Sequence, residues 1–299
     1  MIYNVRHVTR YRYEAPVAAN RCTLRLLPRS TEEQEVLSSG VEVKPRPSAI
    51  DERTDVFGNR TLRMRIDTAH RELVIRSSAR VDVARKPPPP AASSTAWERV
   101  ARDAAASMSL APDSPAYGLY ASRLVGVHEA ITDYARLSFP ASAPVLSAAF
   151  DLNRRINADF VYDRKATAVS TTPMEAFAKR GGVCQDFAHI MIAGLRGLGL
   201  PARYVSGYIR TIPPSGRPRL TGADASHAWV QLWCGRDAGW LGLDPTNAIS
   251  VGDDHIEIAI GRDYADVAPV EGVIVSSGRQ KLDVSVDVVP AEEAEAPSP

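Results

Sequence analysis

Cysteine is scarce in this chain, and several patterns that would assign a function directly are missing. Cys22, Cys184 and Cys234 are the three cysteines in 299 residues, odd in number and far apart. They cannot make a complete disulfide framework, and that usage fits a reducing cytoplasm. No stretch approaches the roughly 18 apolar residues of a membrane span. The opening Met1–His7 interleaves charged and apolar residues, so no secretory leader is expected. Like charges form no block either. With 36 Lys and Arg against 35 Asp and Glu, the net charge is +1, which gives no long-range attraction to nucleic acid or to an anionic membrane. Gly-x-Gly-x-x-Gly, phosphate-loop and His-Glu-x-x-His patterns are absent, so no nucleotide cofactor is expected. Cys184, His189, His227 and Cys234 lack the spacing of a zinc site, and no metal is expected from them.

What is present is ordinary globular composition, 44% hydrophobic, with room for two domains. Residues 1–85 alternate in the strand manner, as in Tyr3-Val5-His7-Thr9-Tyr11-Tyr13 and Leu62-Met64-Ile66, which predicts a small β-sandwich. Lys86 to Ser94 contains four consecutive prolines and reads as an extended linker. Apolar residues then recur three and four apart, predicting helices at 97–106, 117–137 and 145–159. Thr172-Pro173-Met174-Glu175 is a capping box with proline at the first helical position, and Gly181 is the expected stop of that helix. Another helix is expected from Cys184. Strands are expected at 202–210, 226–233, 240–243, 256–260 and 282–289, and a disordered Pro-, Ala- and Glu-rich tail at 290–299.

Three residues in this layout carry chemistry. Cys184 follows Gly181-Gly182 and opens a helix, where free backbone N–H groups and the helix dipole favour a thiolate and can donate to an oxyanion. A lone cysteine is more often buried filler, but a strand histidine, His227, and a strand-ending aspartate, Asp244, supply a base and its orienting group. A tight turn at Cys234 to Asp237 would place His227 directly opposite Asp244. A register displaced by two residues keeps them diagonal on one face, and a displacement of one separates them. Trp229 shares the face of His227 and is a candidate for lining a cleft, as are Gln185 and Tyr208.

The segments Gly181-Gly182-Val183-Cys184-Gln185-Asp186-Phe187-Ala188-His189, Gly199 to Tyr208, Ser226-His227-Ala228-Trp229 and Leu243-Asp244-Pro245-Thr246-Asn247 resemble the bacterial transglutaminase-like family. The N-terminal strands resemble the β-rich region that precedes the core in that family. The resemblance implies an α+β chain with an N-terminal β-sandwich-like domain at 1–85, a linker at 86–99, and a papain-like transglutaminase core at 100–289. In that core the nucleophile opens a helix packed on an antiparallel sheet. The resemblance further implies Cys184 as nucleophile, His227 as general base and acid, and Asp244 as its orienter, acting without cofactor on a protein or peptide. The reaction expected is acyl transfer or hydrolysis at an amide, isopeptide or peptide bond through a thioester. A non-catalytic binding module that keeps the same fold is the competing expectation.

Overall fold

The computed structural model describes residues 1–211 and 225–294. Its first strands are β1 (Ile2–Val17), β2 (Ala19–Leu24), β3 (Gln34–Lys44), β4 (Ala49–Thr54), β5 (Arg60–Ile66) and β6 (His70–Val83). There follow α1 (Trp97–Ala105), α2 (Glu129–Arg136), α3 (Val145–Asp159), β7 (Val161–Tyr162), α4 (Pro173–Lys179), β8 (Gly181–Gly182) and α5 (Cys184–Gly197). The chain continues through β9 (Ala202–Ile209), β10 (Ala225–Trp233), β11 (Trp240–Asp244), β12 (Ile249–Ser250), β13 (His255–Gly261) and α6 (Tyr264–Val267). It closes with β14 (Val270–Val275), β15 (Gln280–Pro290) and α7 (Ala291–Ala294). The architecture is mixed α/β with several antiparallel sheets. No helix among the described residues is long and apolar enough to cross a membrane.

Two four-stranded sheets, ordered β15-β1-β6-β3 and β14-β2-β5-β4, draw strands from both ends of the chain. Residues up to 289 are expected in the core domain. Instead β15 pairs with β1 from Tyr3↔Pro290 to Tyr13↔Gln280, and β14 pairs with β2. The alternation of a half-buried strand marks it as a strand without specifying its partner, which explains the difference.

The 16-residue strand β1 serves two cores with one face, because side chains two apart point the same way. Tyr13 joins Leu24, Leu62, Ile66 and Ile75 between the two sandwich sheets. At its other end Tyr3 and Val5 pack with Val81, Val288, Tyr208, Ile256 and Ile258, and so cover part of the third sheet. That sheet has the order β12-β11-β10-β9-β13. Its Tyr204, Ala228, Val230 and Leu232 meet α2, α3 and α5 in the largest apolar core, with Ile131, Leu152, Phe187 and Leu195.

The outer edge of β13 is closed by side chains of the N-terminal part. Gln34 Nε2 donates to Glu257 O at 2.8 Å, and Glu257 N–H donates to Gln34 Oε1 at 2.8 Å. Asn59 repeats this with Ile260, at 2.7 and 2.8 Å. An exposed strand edge is thereby satisfied within the molecule.

Two helical expectations change. Only Glu129–Arg136 of 117–137 is α-helical; Pro115–Gly118 is a single 3₁₀ turn. Buried Arg196 takes Gly118 O at 3.0 Å and Ser122 Oγ at 3.0 Å, and Asp263 Oδ2 accepts Leu124 N–H at 2.7 Å. Arg196 and Asp263 thereby occupy the Gly118 carbonyl and the Leu124 N–H, backbone groups that a helix would have paired. The stop of α4 is Arg180, at φ +52°, with Gly181 already in β8. The Arg180 guanidinium lies 4.5 Å from the Phe177 ring centroid and 5.0 Å from that of Phe160, contacts that offset its left-handed backbone. The proline segment is tied down as well, since Ser94 Oγ accepts Leu146 N–H at 3.0 Å at the start of α3. Of the tail expected to be disordered, Ala291–Ala294 is helical and 295–299 lie outside the described residues.

Candidate active site

Cys184 is the first residue of α5 and is partly exposed, while nearly all of the helix behind it is buried. The start of the helix is fixed by Asp186, whose Oδ2 accepts Val183 N–H at 2.8 Å and the Thr167 hydroxyl at 2.6 Å. Burial dominates in raising the Asp186 pKa, against these donors. Gly182 makes room for that carboxylate: a Cβ there would lie 2.5 Å from Asp186 Oδ2. Parallel pairing of β8 with β7 holds the glycine pair in place.

His227 comes from β10 and Asp244 from the end of β11, and both are buried. The hairpin between them is not the tight turn expected. Trp233 pairs with Trp240 and Val230 with Leu243, and continuing that register brings Asp244 level with Trp229. Gly235 at φ +106° and Gly239 at φ +64° allow a longer connection in which Cys234 N–H donates to Gly239 O at 2.8 Å. The displacement is two residues, so His227 and Asp244 are diagonal neighbours on one face, and His227 Nε2 lies 2.7 Å from Asp244 Oδ2.

Asp244 is fully buried and gathers five donors. Oδ1 accepts Thr246 N–H at 3.0 Å and Asn247 N–H at 3.2 Å, as in an Asx turn. Oδ2 is reached by His227 Nε2 at 2.7 Å, Asn247 Nδ2 at 2.7 Å and His255 Nε2 at 3.2 Å. Burial would push the carboxyl up, yet these donors and the His227 charge outweigh it and hold it below the ordinary carboxylate range. Burial likewise disfavours charge on His227, but hydrogen bonds to Asp244 and to Cys184 prevail and push it up to about 10. With Nε2 engaged by Asp244, the other ring nitrogen is left for the thiol. The arrangement can hold a proton on the imidazole beside the sulfur.

The three candidate cleft residues have different surroundings. Gln185 is buried next to Cys184, and its Nε2 donates to Val169 O at 3.1 Å. Trp229 is 0% exposed, so it backs His227 instead of lining an open groove. Its ring centroid is 6.2 Å from that of His227 and 5.3 Å from that of His255. Tyr208 is not beside His227. It pairs with Ser226, one residue out of phase with His227, and therefore faces the other side of the sheet. There its hydroxyl meets His7 Nδ1 at 2.8 Å, against β1.

His255 and Asn247 were not singled out from sequence. The alternation His255, Glu257, Ala259 was the available signal, but the expected strand began one residue too late to include His255. Together His227, Asp244 and His255 present one ligand atom each within 4.8 Å of one another. Their donors do not suit a cation. Gly252 N–H donates to His255 Nδ1 at 3.4 Å, which leaves the hydrogen on Nε2, and the Asn247 amide points its own donor at the same carboxylate oxygen. Surface hollows of about 550 and 530 Å³ lie near Arg236, past the far end of β10, and none of Cys184, His227 or Asp244 lines them.

Residues 3–82 match the model of the bacterial transglutaminase-like N-terminal region, and residues 135–245 that of the transglutaminase-like superfamily. The second match includes Cys184, His227 and Asp244 and ends before His255. An uncharacterized protein of Mycobacterium tuberculosis is 39% identical over 299 residues, covering 97% of this chain and 93% of its own. A protein-glutamine gamma-glutamyltransferase of Pseudomonas aeruginosa is 34% identical over 102 residues, 33% of this chain and 15% of that one. The crystal structure of a proposed cysteine protease from Cytophaga hutchinsonii has the same fold, with a TM-score of 0.71 at 22% identity over 97% of this chain and 91% of that one.

Proposed function

The chain belongs to the transglutaminase-like superfamily, and from that premise we propose that it is a thiol enzyme acting on an amide, isopeptide or peptide bond of a protein or peptide. Cys184 Sγ attacks the carbonyl carbon, and the resulting oxyanion is met by backbone N–H groups at the start of α5, which have no intrahelical acceptor. Collapse of the tetrahedral adduct forms the thioester and breaks the C–N bond, and the leaving nitrogen takes its proton from His227. Water or an amine then attacks the thioester carbonyl while His227 accepts its proton, and the C–S bond breaks to release the acyl product and free Cys184. The imidazole thus takes the thiol proton as base, gives it to the leaving nitrogen as acid, and acts as base again on the acceptor.

The observation that carries this reading is the imidazole set between a carboxylate and a sulfur: His227 lies 2.7 Å from Asp244, and although burial disfavours its charge, hydrogen bonds to Asp244 and Cys184 raise its pKa. All three cysteines are free thiols, as a reducing compartment such as the cytoplasm would keep them.

Intact-mass measurement after incubation with glutamine-containing peptides, quenched in acid, tests the reading. An acyl adduct is expected on Cys184, lost in Cys184→Ala. Peptides that leave the wild-type mass unchanged, with no ammonia or amine released, would overturn it.

A further inference from the structure

One buried histidine beside this site has no part in that scheme. His255 opens β13, is 1% exposed, and its Nε2 lies 3.2 Å from Asp244 Oδ2. Because Nδ1 accepts from Gly252 N–H, the ring carries its hydrogen on Nε2 and donates it to the carboxylate. The oxygen that receives it is the one that His227 reaches. The centroids of the two imidazoles are 6.1 Å apart, and fully buried Trp229 packs against both.

His255 is the rigid member of the set that holds this oxygen. Asn247 also donates to it, but Asn247 is exposed at the protein surface, and its side chain can turn to water. His255 is enclosed, and its strand is fixed from outside the core by the Gln34 and Asn59 amides bonded to Glu257 and Ile260. A carboxylate whose Oδ1 is tied to backbone has only the rotation of Oδ2 left to settle, and His255 opposes that rotation.

We infer that His255 is a positioning residue, which clamps Asp244 Oδ2 in the orientation that aligns His227 with Cys184. The inference rests on the reading given under Proposed function, and its test separates the two. The readout is the rate of Cys184 alkylation by iodoacetamide at about pH 6, where an ordinary thiol of pKa near 8.5 is almost wholly protonated.

Wild-type Cys184 is expected to react rapidly; a wild-type rate no faster than that of a small free thiol would sink the enzymatic reading, and the inference with it. Given a fast wild type, His255→Phe removes the donor and is expected to slow alkylation about tenfold or more. His255→Gln places an amide N–H at similar reach and is expected to restore the rate to within about threefold. Equal rates in wild type and His255→Phe would overturn the positioning role alone, and so would a glutamine variant as slow as phenylalanine. Should circular dichroism show His255→Phe unfolded, His255→Asn takes its place. Its donor falls short of Asp244, so slow alkylation supports the clamp and a wild-type rate refutes it.

Discussion

Gln34 in the sandwich and Glu257 in the core sheet hold each other by a reciprocal pair of 2.8 Å hydrogen bonds, side-chain amide against backbone. A side chain thus does what a neighbouring strand would do at the edge of β13. The strand held in this way carries His255 at its start. The N-terminal region is thereby hydrogen-bonded to the strand that His255 opens.

Gln34→Ala and Asn59→Ala each leave a buried N–H and C=O of β13 without a partner. Each is expected to cost about 1–3 kcal/mol in denaturant unfolding. Hydrogen exchange should show the loss locally, with the Glu257 amide released in the first variant and the Ile260 amide in the second. Unchanged protection at both amides would contradict this view of the edge.

Asp244→Asn keeps the size of the side chain and removes its charge. To meet the new amide, His227 is expected to carry its hydrogen on the nitrogen facing the sulfur, where it can no longer accept the thiol proton. Turnover and low-pH alkylation of Cys184 should fall by about 10²–10⁴-fold, with the fold retained by circular dichroism.

The pH behaviour of His227 follows from its neighbours. Burial alone would lower its pKa, and Asp244 and Cys184 raise it to about 10. By NMR titration the wild-type ring should change state far above 6.5, Cys184→Ala should titrate lower, and Asp244→Asn lower still. The sign for stability is that of a raised basic group. In the wild type its contribution is full below about pH 6.5 and is lost as pH rises through the raised value of about 10. The slope is at most about 1.4 kcal/mol per pH unit, and it should vanish in His227→Gln.

Gly182→Ala drives a methyl group into the Asp186 carboxylate, 2.5 Å from Oδ2. Relief requires Asp186 to give up Val183 N–H or the Thr167 hydroxyl, and both fix the start of α5. A loss of about 1–3 kcal/mol in thermal or urea unfolding is expected, together with slower Cys184 alkylation. An unchanged melting temperature would show that the carboxylate has room to move.

Much of this was legible in the sequence because local signals were strong. The Thr172–Glu175 capping box, the helix opening at Cys184 and the strands bearing His227 and Asp244 are all where residue pattern and turn chemistry put them. What escaped depends on long-range pairing. Nothing in Val270–Val275 or Gln280–Pro290 says that their partners lie in the first 24 residues of the chain. The hairpin register depended on how Gly235 and Gly239 share the turn, which composition leaves open. Tyr208 was misplaced because strand parity fixes a side chain's face only relative to a known register. His255 was lost to a strand boundary one residue short, the least certain feature of any such reading.

The most direct test of the central claim, that His227 activates the Cys184 sulfur, is a time course of iodoacetamide labelling at each cysteine, read by peptide mass spectrometry at about pH 6 in wild type and His227→Ala. Cys184 should label well ahead of buried Cys22 and Cys234 in the wild type and slow about tenfold or more in the variant. Labelling of Cys184 at the same rate with and without the imidazole would contradict the account.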